Sequence, residues 1–140
     1  MRLAIADPPY LGRAEMLYGK LDEAQRVLVV ESVRSSPYSA EVVDAERRNR
    51  QRDTLAFLRR LRESQPARDD ALAQVRTFLR TVDHSPRDAY RAYVARYVAH
   101  NCELASALHN STSAAQRGEA AKRLAGYRGD VRALVGEGAG

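Results

Sequence analysis

The stretch His109 to Leu134, HNSTSAAQRGEAAKRLAGYRGDVRAL, decides how the chain is read, because it opens on a helix start that a second stretch repeats. In Ser113-Ala-Ala-Gln116 the serine hydroxyl is placed to accept from the amide three residues on, while the glutamine side chain reaches back to the serine's own amide. Asp22-Glu-Ala-Gln25 offers the same reciprocal pair with a carboxylate as the acceptor, and Leu21 before it is placed to staple against Arg26 and Val27. Two helices therefore begin alike, at Asp22 and at Ser113.

Working outward, Asp7-Pro8-Pro9 reads as the end of an extended lead-in over residues 1–8, and Tyr10 to Tyr18 as a short helix with Leu11, Ala14, Leu17 and Tyr18 on one side, stopped by Gly19. After Asp22 the residues Val27, Leu28, Val30 and Val33 are β-branched enough to admit a strand, and the capping box tips the reading to helix. Ser39 caps a third helix that runs unbroken to about Glu63. Its apolar blocks, Val42-Val43 and Leu55 to Leu61, are separated by ERRNRQRD over Glu46 to Asp53, which must be bare to solvent or held in a polar interface.

Ser64-Gln65-Pro66 breaks the chain before a fourth helix from about Ala67 to Val82, whose Leu72, Val75, Phe78, Leu79 and Val82 have the spacing of a core stripe. Ser85 and Pro86 read as the N-cap and first residue of a fifth helix that continues to about Leu108. The sixth helix, from Ser113, carries Ala120, Leu124, Tyr127, Val131 and Leu134 inward, and the tail 136–140 is expected to be disordered. Turns of two to six residues make successive helices fold back on one another. The fold class expected is all-α, a single-domain antiparallel bundle of about six helices over residues 1–140.

At 140 residues about two thirds of the unfolded surface can be buried, so a core without metal or disulfide is feasible. The net charge of +5 comes almost wholly from arginine, since Lys20 and Lys122 are the only lysines, and it favours acidic partners. Cys102 stands alone, which excludes an internal disulfide. No run approaches the eighteen or so apolar residues of a membrane span, and MRLAIADPPYL lacks the apolar stretch of a secretory signal.

Few residues point to chemistry. Asp7-Pro8-Pro9-Tyr10 matches the catalytic tetrapeptide of amino-methylating nucleic-acid methyltransferases, but the strand and glycine-rich loop those enzymes require are missing from the pattern. His100, Cys102, Glu103 and His109 lie close together, yet Cys102 points about 200° away from His100 around a helix and the spacing fits no zinc motif. Cys102 is expected in an apolar layer, with no partner that would make it a nucleophile. No catalytic residue, cofactor or metal is expected. Tyr90, Tyr93 and Tyr97 stack down one side of the fifth helix and read first as a core stripe with wet hydroxyl ends. A sharper version pairs this face with Arg47, Arg50 and Gln51 of the third helix, guanidinium over phenol, which would explain its apolar gap. The arginines themselves alternate with acids, Glu46 with Arg50 and Asp44 with Arg48 at the four-residue step, so a solvated, self-paired face is expected and nucleic acid is an unlikely partner.

Three segments, LYGKLDEAQR at Leu17 to Arg26, ERRNRQRDTLAFLRRL at Glu46 to Leu61, and Asn101 to Leu134, resemble an uncharacterised family of helical lipoproteins of the Gram-negative cell envelope. More loosely, the paired caps are similar to the Leu-Thr-x-x-Gln repeats of small periplasmic stress proteins of the Spy and CpxP kind, which are helical, dimeric and chaperone-like. The resemblance implies a periplasmic or outer-membrane-associated protein, with Gln25, Arg47, Gln51, His109, Asn110 and Gln116 as fold-holding polar contacts. Family members also carry a lipid-modified cysteine after a signal peptide and further N-terminal helices, so this sequence would be a shortened form, touching a membrane only through an anchor it does not contain. The function expected is that of a non-enzymatic helical envelope protein acting through protein contacts or chaperone-like binding, with the arginine stretch and tyrosine face forming a polar seam for a protein partner or a second copy. The alternative is a small basic cytosolic protein that binds nucleic acid or a regulatory partner.

Overall fold

The computed structural model describes residues 8–137, and among them the chain is all-α, with six helices and no strand. They are α1 (Pro8–Tyr18), α2 (Glu23–Arg34), α3 (Ala40–Ser64), α4 (Arg68–Asp83), α5 (Asp88–Ser111) and α6 (Ala114–Glu137). Each end has a local cause. Gly19 closes α1 at φ +76, a backbone state that costs glycine little. The Ser39 hydroxyl accepts from the Val42 amide to open α3. At the other end Gln65 turns left-handed, its amide bonding Leu61 O ahead of Pro66.

Several sequence expectations need correction. The lead-in over residues 1–7 lies outside the described residues, and Pro8 already stands in the first turn of α1. The tail expected to be disordered from Gly136 is helical through Glu137, and residues 138–140 are not described. Ser85 does not cap α5, which begins three residues later at Asp88; its buried hydroxyl accepts from the Arg87 amide at 3.3 Å in the preceding turn and donates to Glu46.

Where the sequence suggests one core, the contacts of the described residues gather in two compact units, residues 8–36 with 100–137, and residues 37–99, the division falling inside α5. In the first, Leu21, Val29 and Leu108 are buried together, and Tyr10, Leu11, Ala14 and Tyr18 of α1, Leu28 and Val33 of α2, and Leu104 of α5 pack against them. Leu21 thus enters this core, while Val27, its expected staple partner, is half exposed and Val29 takes the inward place. α1 lies against α2 and α6. Of the stripe expected to face inward on α6, only Ala120 is buried; Leu124, Tyr127, Val131 and Leu134 are 50–70% exposed.

In the second unit α3 packs on α4, where Phe57 stacks on Phe78 at 4.4 Å between ring centroids and 4° between planes. The expected α4 stripe is only partly covered, because Leu72, Leu79 and Val82 remain exposed and nothing on α4 is fully buried. Tyr93 is the buried member of the tyrosine row, its hydroxyl accepting from the Ser39 amide at 3.1 Å.

These burials set a test. Leu108→Ala should cost about 2–4 kcal/mol in urea unfolding, while Leu134→Ala should change stability by less than about 0.5 kcal/mol.

Candidate functional site

Two constructions of buried polar side chains stand out, one in each unit. In the first, the two capping boxes meet. Asp22 accepts from the Gln25 amide at 2.8 Å, and Gln25 Oε1 accepts from the Asp22 amide at 3.1 Å. Ser113 Oγ accepts from the Gln116 amide at 3.2 Å, and Gln116 Oε1 accepts from the Ser113 amide at 3.0 Å. Because each cap draws the amide oxygen onto a backbone N–H, each NH2 is left to find two acceptors.

Each finds them in the other motif. Gln25 Nε2 donates to Gln116 Oε1 at 3.0 Å and to Ser111 O at 3.1 Å; Gln116 Nε2 donates to Gln25 Oε1 at 2.9 Å and to Lys20 O at 3.0 Å. Lys20 and Ser111 each lie two residues before a cap, so the exchange is two-fold in pattern. Both amides thereby satisfy all their donors and acceptors, which is what allows Gln25 to be buried at 2% exposure. Arg117 holds the Thr112 hydroxyl and carbonyl, and Tyr18 OH meets His109 Nδ1 at 2.9 Å.

The second unit centres on Glu46, 3% exposed. Its Oε1 accepts from Ser85 Oγ at 2.7 Å and Arg50 Nε at 3.1 Å, with Arg87 Nη1 at 3.6 Å. Arg87 Nη2 donates to Asp53 at 2.6 Å, Arg91 Nη1 donates to Ser85 O, and Arg50 lies over the Tyr90 ring at 5.6 Å. Burial pushes the Glu46 carboxyl up, but the hydrogen bonds from Ser85 and Arg50 and the charges of Arg87 and Arg50 together outweigh it and hold the group below its ordinary value. The bond to Asp53, against some desolvation, raises Arg87.

The apolar gap of α3 is therefore a polar interface. Glu46, Arg50, Asp53 and Phe57 stand at steps of four, three and four, the spacing of a core stripe written in charged residues. That spacing was the available signal for Glu46, which sequence reasoning placed on a solvated face. Asp44 does pair at the surface, with Arg47 and Arg48. Arg50 meets Tyr90 as expected. Arg47 and Gln51 are exposed and hold nothing from the tyrosine row; with Val43, Leu55, Val82, Arg50 and Tyr90 they line an open groove of about 670 Å³. Tyr93 and Tyr97 stack at 6.4 Å, with Tyr38 against Tyr97.

Asn110 is exposed and takes no part in the cap exchange, and Cys102 is exposed rather than in an apolar layer. His100 is turned to Ser32, its Nε2 at 2.8 Å from the carbonyl and 3.1 Å from the hydroxyl. Among the described residues no three metal-ligating side chains gather. No protein-family model, curated protein or solved structure matches the chain.

Because the Glu46 carboxyl is held low, its contribution to stability is full above the ordinary glutamate range and is lost as pH falls through the lowered native value. Glu46→Gln should cost about 2–3 kcal/mol at neutral pH, since Arg50 and Arg87 lose their anion, and should flatten the acid limb of a stability-against-pH curve measured by urea unfolding.

Proposed function

We propose that this chain is a non-enzymatic helical protein of the cell envelope that presents an apolar helical seam to other proteins, in the manner of a chaperone. The observation that carries the reading is the outer half of α6. Leu124, Tyr127, Val131 and Leu134 follow one another at steps of three, four and three, which aligns them on one face, and Val135 extends it. All five are 50–70% exposed. A soluble chain gains nothing from leaving such a row in water, and rows of this kind mark interaction sites.

The seam is held in place from below. α1 lies against α6, and the Tyr127 hydroxyl reaches Met16 Sδ at 3.6 Å. Glu119 pairs with Lys122 near its start, and Arg123, Arg128 and Arg132 along its outer half are exposed. Apolar segments flanked by acidic residues would complement it. The envelope location rests on the resemblance carried by the two capped segments and the arginine-rich stretch of α3. No described helix is long and apolar enough to cross a membrane.

The test is suppression of aggregation. The full chain should lower light scattering by a reduced, unfolding model protein, and Leu124→Ser/Val131→Ser/Leu134→Ser should lose that effect while keeping the thermal transition, because these side chains hold no core. Equal suppression by the triple variant, or none by the native chain, would contradict the reading.

A further inference from the structure

The surface that best declares its partner's chemistry is the outer side of α3. At 100° per residue, Arg48, Arg52, Leu55, Arg59 and Arg62 fall on one line along the helix, with Leu58 beside it, opposite the buried Glu46 and Phe57. Ala45, Arg48, Arg52 and Leu55 line one shallow depression, as that alignment requires. The line from Arg48 to Arg62 is about 21 Å long at 1.5 Å per residue.

Its charges are largely free. Arg48 is bonded to Asp44 and Arg52 to Asn49, both within α3, while Arg59 and Arg62 form no ion pair among the described residues. Glu41 falls on the same line two turns before Arg48, and Asp44 and Glu63 flank it at its two ends, so three acids stand near this face. By contrast, the guanidinium of Arg50 in the neighbouring groove is already taken by Glu46 and Tyr90. The outer face therefore calls for an anionic partner.

The leucines decide which kind. Leu55 is 54% and Leu58 52% exposed; Leu55 stands where the arginine line meets the groove it shares with Val43 and Val82, and Leu58 lies beside the line. Against a nucleic-acid backbone those side chains would stay in water, whereas at a lipid headgroup layer they enter the acyl boundary while the long arginine side chains reach out to phosphate. We propose that the outer face of α3 docks on an anionic lipid surface, Leu55 and Leu58 inserting and Arg48, Arg52, Arg59 and Arg62 contacting phosphate. This contact needs no lipid anchor and is independent of the α6 seam.

Co-sedimentation of the full chain with vesicles tests it. Vesicles of phosphatidylglycerol in phosphatidylcholine should bind the chain, and less as salt rises; phosphatidylcholine alone should not. Arg59→Gln/Arg62→Gln should weaken binding about 30-fold, at the usual contribution of a basic residue near such a surface. Leu55→Ser/Leu58→Ser should weaken it about tenfold or more. Both variants should melt as the native chain does, and Arg123→Gln/Arg128→Gln on α6, equal in charge, should leave binding unchanged. Equal binding to uncharged vesicles, or an equal loss in the α6 variant, would overturn the proposal. So would capture of duplex DNA in place of vesicles, insensitive to the leucine change.

Discussion

The structure of the first unit depends on a pair of side-chain amides that face each other head to tail. Gln25 and Gln116 each close the start of their own helix and, with the hydrogens left over, bond the other's oxygen and the loop carbonyl before the other's cap. A buried amide missing even one of these partners would cost about 1–3 kcal/mol. Local capping and tertiary docking are therefore a single event here: the caps orient the amides, and the oriented amides bring together chain segments 91 residues apart. Leu21 and Thr112, the residues just before the caps, are buried beside the pair, and the apolar cluster of Leu21, Val29 and Leu108 grows from one of them.

The second unit solves a different problem with similar means. α3 places charge where a core stripe runs, and Glu46 is tolerated because Ser85, Arg50 and Arg87 converge on it from α3 and from the turn before α5. Asp53 in turn holds Arg87. Such an arrangement stabilises less than an apolar core of the same volume would, but it admits few alternative registers, since a shift of one residue leaves a buried carboxylate unpaired.

Much of this was legible in the sequence wherever the signal was local. Both capping boxes, the Ser39 cap, the Gly19 stop and the six-helix count follow from short-range chemistry between residues within four positions. What could not be read was which apolar rows find a cover. The α6 row from Leu124 to Leu134 has the same spacing as a core stripe, and periodicity marks only that a face is apolar. Nor does local spacing tell that Gln25 and Gln116 bond each other, because each motif alone is satisfied as a cap. Ser85 was misread for a related reason: Ser-Pro is a good helix start, but here the hydroxyl bridges the Arg87 amide and the distant carboxylate of Glu46 in the turn before α5 begins. Residues read as fold-holding through resemblance, Arg47, Gln51 and Asn110, stand at the surface.

In each unit buried polar side chains are matched to one another beside the apolar contacts, while several apolar rows are left outside. In the first unit that matching holds only if the amide pair ties the caps together and does not merely sit near them. A double-mutant cycle with Gln25→Ala, Gln116→Ala and the double variant, followed by urea unfolding, measures this directly. Each single change should cost about 2–3 kcal/mol, and the double change should cost at least about 1 kcal/mol less than their sum. Costs that add to within about 0.5 kcal/mol would mean that the two glutamines act as separate caps, and would contradict the account.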